Sequence, residues 1–530
     1  MKIHAILAAT FLCLSVASAD ELMRDQLVGV RCWADVRILS DDAMEGRRAG
    51  SEAHRRAAQF VADNFRKAGL KPGGDDGYLQ EVRLESRQIV EANSSAKLQA
   101  GEKIRPLTLG ADAGFLLRGD LTPAVTAPLV FVGHGLVLPQ YGIDDLHGLD
   151  LKGKIVVSFL AAPPSVPGAA GAHFGSTAER WRIYKAAGAV GVVFMPNPYS
   201  TDLPWERASK VRLEPFMVLK GGEDLYAGMQ VWLMLNPERF PWLLEGSGHG
   251  ADELLALLKD GKPLPHFDLP WRLAASVDAK VSELVSENVV GLMPGSDKTL
   301  RDEHVVLSAH LDHLGVASEG DGDRVYNGAI DNASGIAVML QIARDLAKKK
   351  APRRTIVFAA VTAEELGLLG SRAFVADARA RGQQIVANLN TDMFMPLYPM
   401  KQVVVFGLEE SDLADDARVV ASALGVEVQS DPQPQRNRFI RSDQYSFIRA
   451  GIPALATKIG YTANSPEAEI DAKWFAERYH GVSDSADQPV DFAAVGRYEE
   501  FMRRLAERVA NRQAAPRWYD TSVFSRLATH

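Results

Sequence analysis

Five short stretches carry residues able to hold a metal ion or to move a proton. In AHLDHLG (309–315), His310 closes an apolar run and Asp312 follows two residues later. Imidazole is a good zinc ligand, and a ligating histidine usually gives its second ring proton to an acceptor behind it, a role open to Asp312. In NGAIDNASG (327–335), Asp331 stands in a Gly- and Asn-rich loop just before a helical stretch. There it could cap that helix, as Asn332 or Ser334 could; the functional alternative is a carboxylate that bridges two metals. VTAEELG (361–367) sets Glu364 beside Glu365 at the end of a buried run. Two adjacent carboxylates are costly to hold ionised there unless a cation neutralises them, so one suits a metal and the other proton transfer. The competing reading is a solvated first helical turn, where acidic residues favour the helix dipole. LNTDM (389–393) ends in Asp392, and RYHGVSD (478–484) presents Tyr479 and His480 in a loop. Each signal alone is modest. Together His310, Asp331, Glu365, Asp392 and His480 form a five-ligand set for two metals. Nitrogen and carboxylate donors without thiolate suit zinc, with manganese or cobalt also chemically possible.

The elements that must position these residues follow from periodicity. From Ser286 onward, NVVGLMPG, HVVLSAH, TIVFAAVTAEE and IVANLNTD each carry an apolar run ending in polar residues. Helical stretches lie between them, such as 334–349 with Ile336, Met339, Leu340, Ala343 and Leu346 on one face. This alternation predicts an α/β domain with a mostly parallel central sheet flanked by helices, and binding groups gather beyond the carboxyl ends of such strands. Residues 51–68 read as an amphipathic helix stopped by Gly69 and Pro72. From 115 to 270 the texture is different, with short β-rich runs broken by Gly and Pro: strands at 129–138 and 153–160, then helix, turn and strand over 177–195. The expected division is 20–114 and 271–515 for the α/β domain, 115–270 for the inserted β-rich domain, and 516–530 for a tail.

The chain has 530 residues, 47% hydrophobic and 24% charged, with a formal net charge of -8. That balance gives no basic face for nucleic acid. Lys2, the apolar run Ile3–Val16 and the small residues Ala17-Ser18-Ala19 have the layout of a signal peptide (1–19), too short to span a bilayer. Cleavage before Asp20 would leave Cys32 as the one cysteine, which cannot form an internal disulfide. A periplasmic or secreted protein without a membrane span is therefore expected.

The motifs together resemble the co-catalytic two-zinc aminopeptidase and glutamate carboxypeptidase family, metallopeptidase family 28. The opening LSDDAMEGRRAGS (39–51) is similar to the family's N-terminal segment, and 127–195 resembles the protease-associated (PA) domain inserted in many members. The resemblance implies two zinc ions per chain: His310 and Asp392 on one, Glu365 and His480 on the other, with Asp331 bridging. It further implies Asp312 behind His310, Glu364 as general base, a cis peptide at Asp331-Asn332, and SDQYSFIRAGIP (442–453) beside the site. Some members polarise the carbonyl with a tyrosine three residues before the Ser-Asp pair, where this chain has Phe439. Tyr479 matches the tyrosine used instead in the carboxypeptidase branch, which implies oxyanion stabilisation there. The activity implied is exopeptidase cleavage of peptide substrates by a metal-bridged hydroxide, as an aminopeptidase whose acidic site holds a free α-amino group.

Three alternatives stand beside it. A carboxypeptidase or dipeptidase could hold a substrate carboxylate with Arg436, Arg438 and Arg441, which otherwise form a solvated basic loop. A receptor-like module would have lost ligands, and none is lost. A one-zinc glutaminyl cyclase fits less well with the DNASG loop and the inserted domain. His134, His147 and His173 have no ligand-like neighbours, and the acidic loop 318–324 reads as plain exposed chain rather than a lid or calcium contact.

Overall fold

The computed structural model describes residues 2–120, 122–160, 162–166, 168–199, 204–221, 224–318 and 322–529. Three of the seven residues of the acidic loop 318–324 lie outside them, and with them the lid and calcium readings. Two compact units form: residues 1–82 with 285–530, and Arg83–Leu284.

In the first unit, seven strands form the part of the sheet that carries the site: β1 (Ala279–Met293), β2 (Glu303–His310), β3 (Thr355–Val361), β4 (Gln384–Thr391), β5 (Gln402–Phe406), β6 (Glu427–Gln429) and β7 (Ala454–Gly460). Their spatial order is β1-β3-β2-β4-β7-β5-β6. β3, β2, β4 and β7 run parallel, while β1 on β3 and β5 on β7 are antiparallel. The chain goes from β2 out to β3 on one side and returns to β4 on the other. The carboxyl end of β2 is thus the switch point at which such sheets open a crevice.

The parallel strands are buried on both faces, so they read as continuous apolar runs. Val305, Leu307, Ala309, Ile356, Phe358 and Ala360 belong to one core with α1 (Lys2–Leu39), α2 (Glu52–Lys67), α3 (Ser334–Leu346) and the long C-terminal helix Phe492–Ala510. Residues Leu369–Ala380 and Gln444–Arg449 form helices that pack on the sheet and on each other. α2 matches the expected 51–68 helix, capped by Ser51. α1 is one backbone helix that continues through the expected cleavage point before Asp20. Cys32 is buried and unpaired. No helix among the described residues is long and apolar enough to cross a membrane.

The second unit has its own eight-stranded sheet, whose central strands Ala124–Phe131, Ile155–Phe159, Gly191–Met195 and Val231–Leu235 run parallel. It begins earlier and ends later than the expected 115–270. The cause is the hairpin Ser95–Ala100 and Lys103–Leu107, which pairs with Phe267–Ser276 of this sheet. Short strands with mixed faces carry no periodic mark of which sheet they join. The tail 516–530 is also more than an appendage. Trp518 and Phe524 are buried, Trp518 donates to the Gly451 carbonyl, and Phe524 meets the Phe439 ring edge-on at 5.7 Å.

Candidate metal centre

Three of the five proposed ligands sit where parallel strands end. His310 is the last residue of β2 and lies level with Val361 of β3. Glu364 and Glu365 follow β3 after a turn in which Ala363 adopts a left-handed conformation (φ 55°). Asp392 follows Thr391 at the end of β4. Asp331 does not belong to a strand end: it lies in the irregular turn Ala329–Ala333 that leads into α3. It is no helix cap, since Asn332 Oδ1 accepts the Gly335 N–H instead. The peptide between Asp331 and Asn332 is cis. His480 follows the helix Pro466–Glu477 and is also left-handed (φ 54°).

The five side chains converge in two groups that share Asp331. His310 Nε2 lies 3.2 Å from Asp331 Oδ1 and 3.3 Å from Asp392 Oδ1. His480 Nε2 lies 3.3 Å from Asp331 Oδ2 and 3.3 Å from Glu365 Oε2. These separations exceed the 2.7–2.9 Å (about) of a charge-assisted hydrogen bond. They match the edge of a tetrahedron about a zinc ion, roughly 3.3–3.4 Å for zinc–ligand bonds of about 2.0–2.1 Å. One carboxylate offers one oxygen to each group, which is the geometry of a bridge. The donor set therefore fits two zinc ions.

The surroundings fix these atoms chiefly through the backbone. His310 Nδ1–H donates to the backbone carbonyl of Asp312 at 3.1 Å, which leaves Nε2 free for a metal. The Asp312 carboxylate is 3.9 Å from that ring nitrogen. It accepts the backbone N–H groups of Glu364 (3.1 Å) and Glu365 (3.4 Å). Asp312 thus orients His310 with its carbonyl and organises the Glu364–Glu365 turn with its carboxylate. Under the site, Asn390 of β4 donates to Ser442 Oγ and Gln444 Oε1, tying the 442–453 segment to the sheet.

Three residues that the sequence reading passed over complete the site. His313 Nδ1 is 2.7 Å from Glu365 Oε1 and 4.0 Å from Asp331 Oδ2. The first distance is a hydrogen bond rather than a coordination edge, so His313 holds Glu365 from behind. Asp484 is fully buried and accepts the N–H groups of Ile330 and Asp331 at 3.0–3.1 Å, with Gln488 Nε2 at 2.6 Å. Arg47, also fully buried, donates to the carbonyls of Leu39, Leu311, Asn327 and Gly328. Their signals were present in HLDHLG, RYHGVSD and EGRRAG, but their partners are mostly backbone atoms.

Electrostatics separate the two glutamates. Burial pushes Glu364 well above the usual carboxylate range, and the charges of Glu365, Asp392 and Asp443 add to this against His310. Glu365 is driven the other way: burial and Asp331 would raise it, but His313 and His480 hold it at about 2. Burial and the neighbouring Asp331 and Glu365 push the Tyr479 phenol up, so it stays a proton donor. Its ring stacks on His480 at 3.9 Å. Glu364, Tyr479 and the ligands all line one cavity of about 330 Å³. His134 and His173 are buried, whereas His147 is exposed beside Asp144. Among the described residues, none of the three joins a metal-ligating group.

Residues 288–506 match Peptidase family M28. A glutamate carboxypeptidase 2 homolog of Caenorhabditis elegans is 27% identical over 485 residues, covering 79% of this chain and 58% of that protein. Aminopeptidase NAALADL1 of Mus musculus is 33% identical over 138 residues, covering 25% of this chain and 17% of its own length. The chain thus spans less than two thirds of the length of these curated relatives. An aminopeptidase from Aneurinibacillus sp. strain AM-1 shares the fold, with a TM-score of 0.52 and 19% identity over 93% of this chain and 97% of that one. The α/β domain that gathers the five proposed ligands is thus similar to peptidase family M28 over residues 288–506.

Proposed function

We propose that the protein is an exported zinc-dependent exopeptidase, an aminopeptidase that removes N-terminal residues from peptides, and that Arg83–Leu284 is an inserted PA domain. The observation that carries the reading is the pair of three-ligand groups with coordination-edge spacing that share the Asp331 carboxylate. Zinc bound by His310, Asp331 and Asp392, and by His480, Asp331 and Glu365, would supply Lewis-acid polarisation of a carbonyl and acidification of water.

The chain's own residues do the rest. Glu364 takes the proton of the attacking water and returns it to the leaving amine, a role suited to a buried carboxylate with a raised pKa. Asp312 keeps Glu364 in place through the backbone N–H. Tyr479 donates to the oxyanion that develops on the scissile carbonyl. The anionic side of the cavity, with Glu364 and Asp392, accommodates the α-ammonium of the first residue. The layout of residues 1–19 supports export to the periplasm or the exterior.

The test is hydrolysis of an aminoacyl-anilide panel by the full chain, before and after chelation and after zinc is restored. Activity should vanish and return. Glu364→Gln should keep its zinc and lose at least about 100-fold in kcat, the lower end of a general base's contribution. Turnover that survives complete metal removal refutes the mechanism, and equal cleavage of N-acetylated peptides refutes the aminopeptidase assignment.

A further inference from the structure

One wall of the cavity that holds the metal ligands is built from a segment outside the sheet. Arg436, Arg438, Arg441, Ser442 and Gln444 line the cavity from 436–444. This segment consists largely of the single helical turns Pro434–Arg436 and Arg438–Ile440, joined by a left-handed Asn437 (φ 55°). Isolated turns make too few hydrogen bonds to fix their own position, so contacts from elsewhere must place them.

On the inside, Gln444 does so. Its Nε2 donates to the carbonyls of Arg438 (3.2 Å) and Phe439 (2.9 Å), and its Oε1 accepts from Asn390 of β4 (2.8 Å). On the outside the anchor is Phe439, which is buried and does not line the cavity. Its ring presses on the turn after β5, where a Cβ at Gly407 would lie 2.5 Å from it. The same ring meets Phe524 of the tail edge-on at 5.7 Å, and Phe524, fully buried, meets Trp518 at 5.6 Å.

The tail is itself fastened at two places near this segment. On the turn after β5, the Tyr519 N–H donates to the Glu410 carbonyl at 2.9 Å, and Ser522 Oγ donates to Glu410 Oε2 at 2.6 Å. Beyond the helix Gln444–Arg449, Trp518 Nε1 donates to the Gly451 carbonyl at 2.8 Å. Gly451 is left-handed (φ 81°), and a side chain there would strike the main chain of Leu527 and Ala528. His310, Asp331 and Asp392 are placed differently, by β2, by β4 and by turns that Arg47 and Asp484 brace.

We propose that Phe524 is a positioning residue for substrate binding. Packed on Phe439, it holds 436–444 as a fixed wall of the cavity, so that substrate meets a preformed surface. Resting on the peptidase reading above, this role concerns binding and leaves the metal ligands and proton transfer untouched.

The test measures hydrolysis of leucyl-anilide by zinc-loaded full chains of the wild type, Phe524→Ala and Phe524→Leu. Truncation to Ala should raise KM at least about threefold while kcat stays within about twofold, because the wall binds substrate without acting on the reacting bond. Leu refills most of the space and should restore KM to within about twofold of wild type; a Leu variant no better than Ala overturns the proposal. A role in stability alone would lower zinc content and active fraction and leave KM unchanged, and that result overturns it too. Amide hydrogen exchange reads the same effect without turnover: 436–444 should exchange at least about tenfold faster in Phe524→Ala, with 303–310 of β2 unchanged. Equal acceleration in both segments, or none in either, refutes the positioning role. If Phe524→Ala does not fold, Trp518→Phe, which removes the donor to Gly451, should raise KM at least about twofold, and a smaller rise overturns the proposal. A wild type that hydrolyses nothing refutes the peptidase reading instead, and the exchange comparison then decides the role of Phe524.

Discussion

Arg47 is the residue whose loss should reach furthest. Its guanidinium is fully buried, and burial lowers its pKa to about 10, opposed by Asp484, Asp312, Asp331 and Glu365, so it remains charged at neutral pH. It donates to four carbonyls, of which Leu311 directly follows His310 and Gly328 opens the turn that carries Asp331. A hydrogen bond from a charged donor contributes roughly 1.5–3 kcal/mol, but four bonds on one fork are not additive. Removing one member of a buried charged network costs about 3–5 kcal/mol, and that range is expected for Arg47→Met. At about 2–4 °C per kcal/mol, the thermal transition of the unit holding the site should fall by about 10 °C. Arg47→Lys keeps the charge but lacks the fork, and should fall between the two. Circular dichroism melts of the zinc-loaded chain measure the transition, and zinc content measures the local effect. A Met variant within about 1 kcal/mol of wild type, with zinc binding unchanged, would refute the idea that this residue braces the site.

The remaining expectations concern the residues behind the ligands. His313→Ala removes the hydrogen bond to Glu365 Oε1 and should weaken zinc binding about 10–100-fold, read by competition with a chromophoric chelator. Retention of wild-type affinity would mean that Glu365 is held by other means. Asp484→Asn turns an amide towards the N–H groups of Ile330 and Asp331, and should destabilise the unit by about 1–3 kcal/mol in urea denaturation.

The convergence of the five proposed ligands was legible because each is a chemically distinctive side chain at a place the chain pattern marks. His310, Glu365 and Asp392 end apolar runs that become β2, β3 and β4, and α3 begins just after Asp331. The cis peptide expected at Asp331-Asn332 is present. Less legible was the extent of the second unit, because the hairpin 95–107 joins its sheet by pairing with a strand far along the chain. Lys458 was invisible for another reason. It sits inside an apolar strand, and only the fold brings it beside Asp471 and the arginine loop.

Arg47, Asp484, Asp312 and His310 make one further point together. Each braces the site by bonding to main-chain atoms: Arg47 to carbonyls, Asp484 and Asp312 to N–H groups, and His310 to the Asp312 carbonyl. A backbone atom is the same at every position, so such a partner leaves no residue type by which to find it. The side-chain pattern therefore tells which donor atoms converge, while the means of holding them is written in chain geometry. It follows that a residue that meets the brace through its backbone alone, such as Leu311, tolerates conservative substitution better than Arg47 or Asp484. The brace fails when the buried charge is lost, because no neighbouring side chain can satisfy several carbonyls or amides at once.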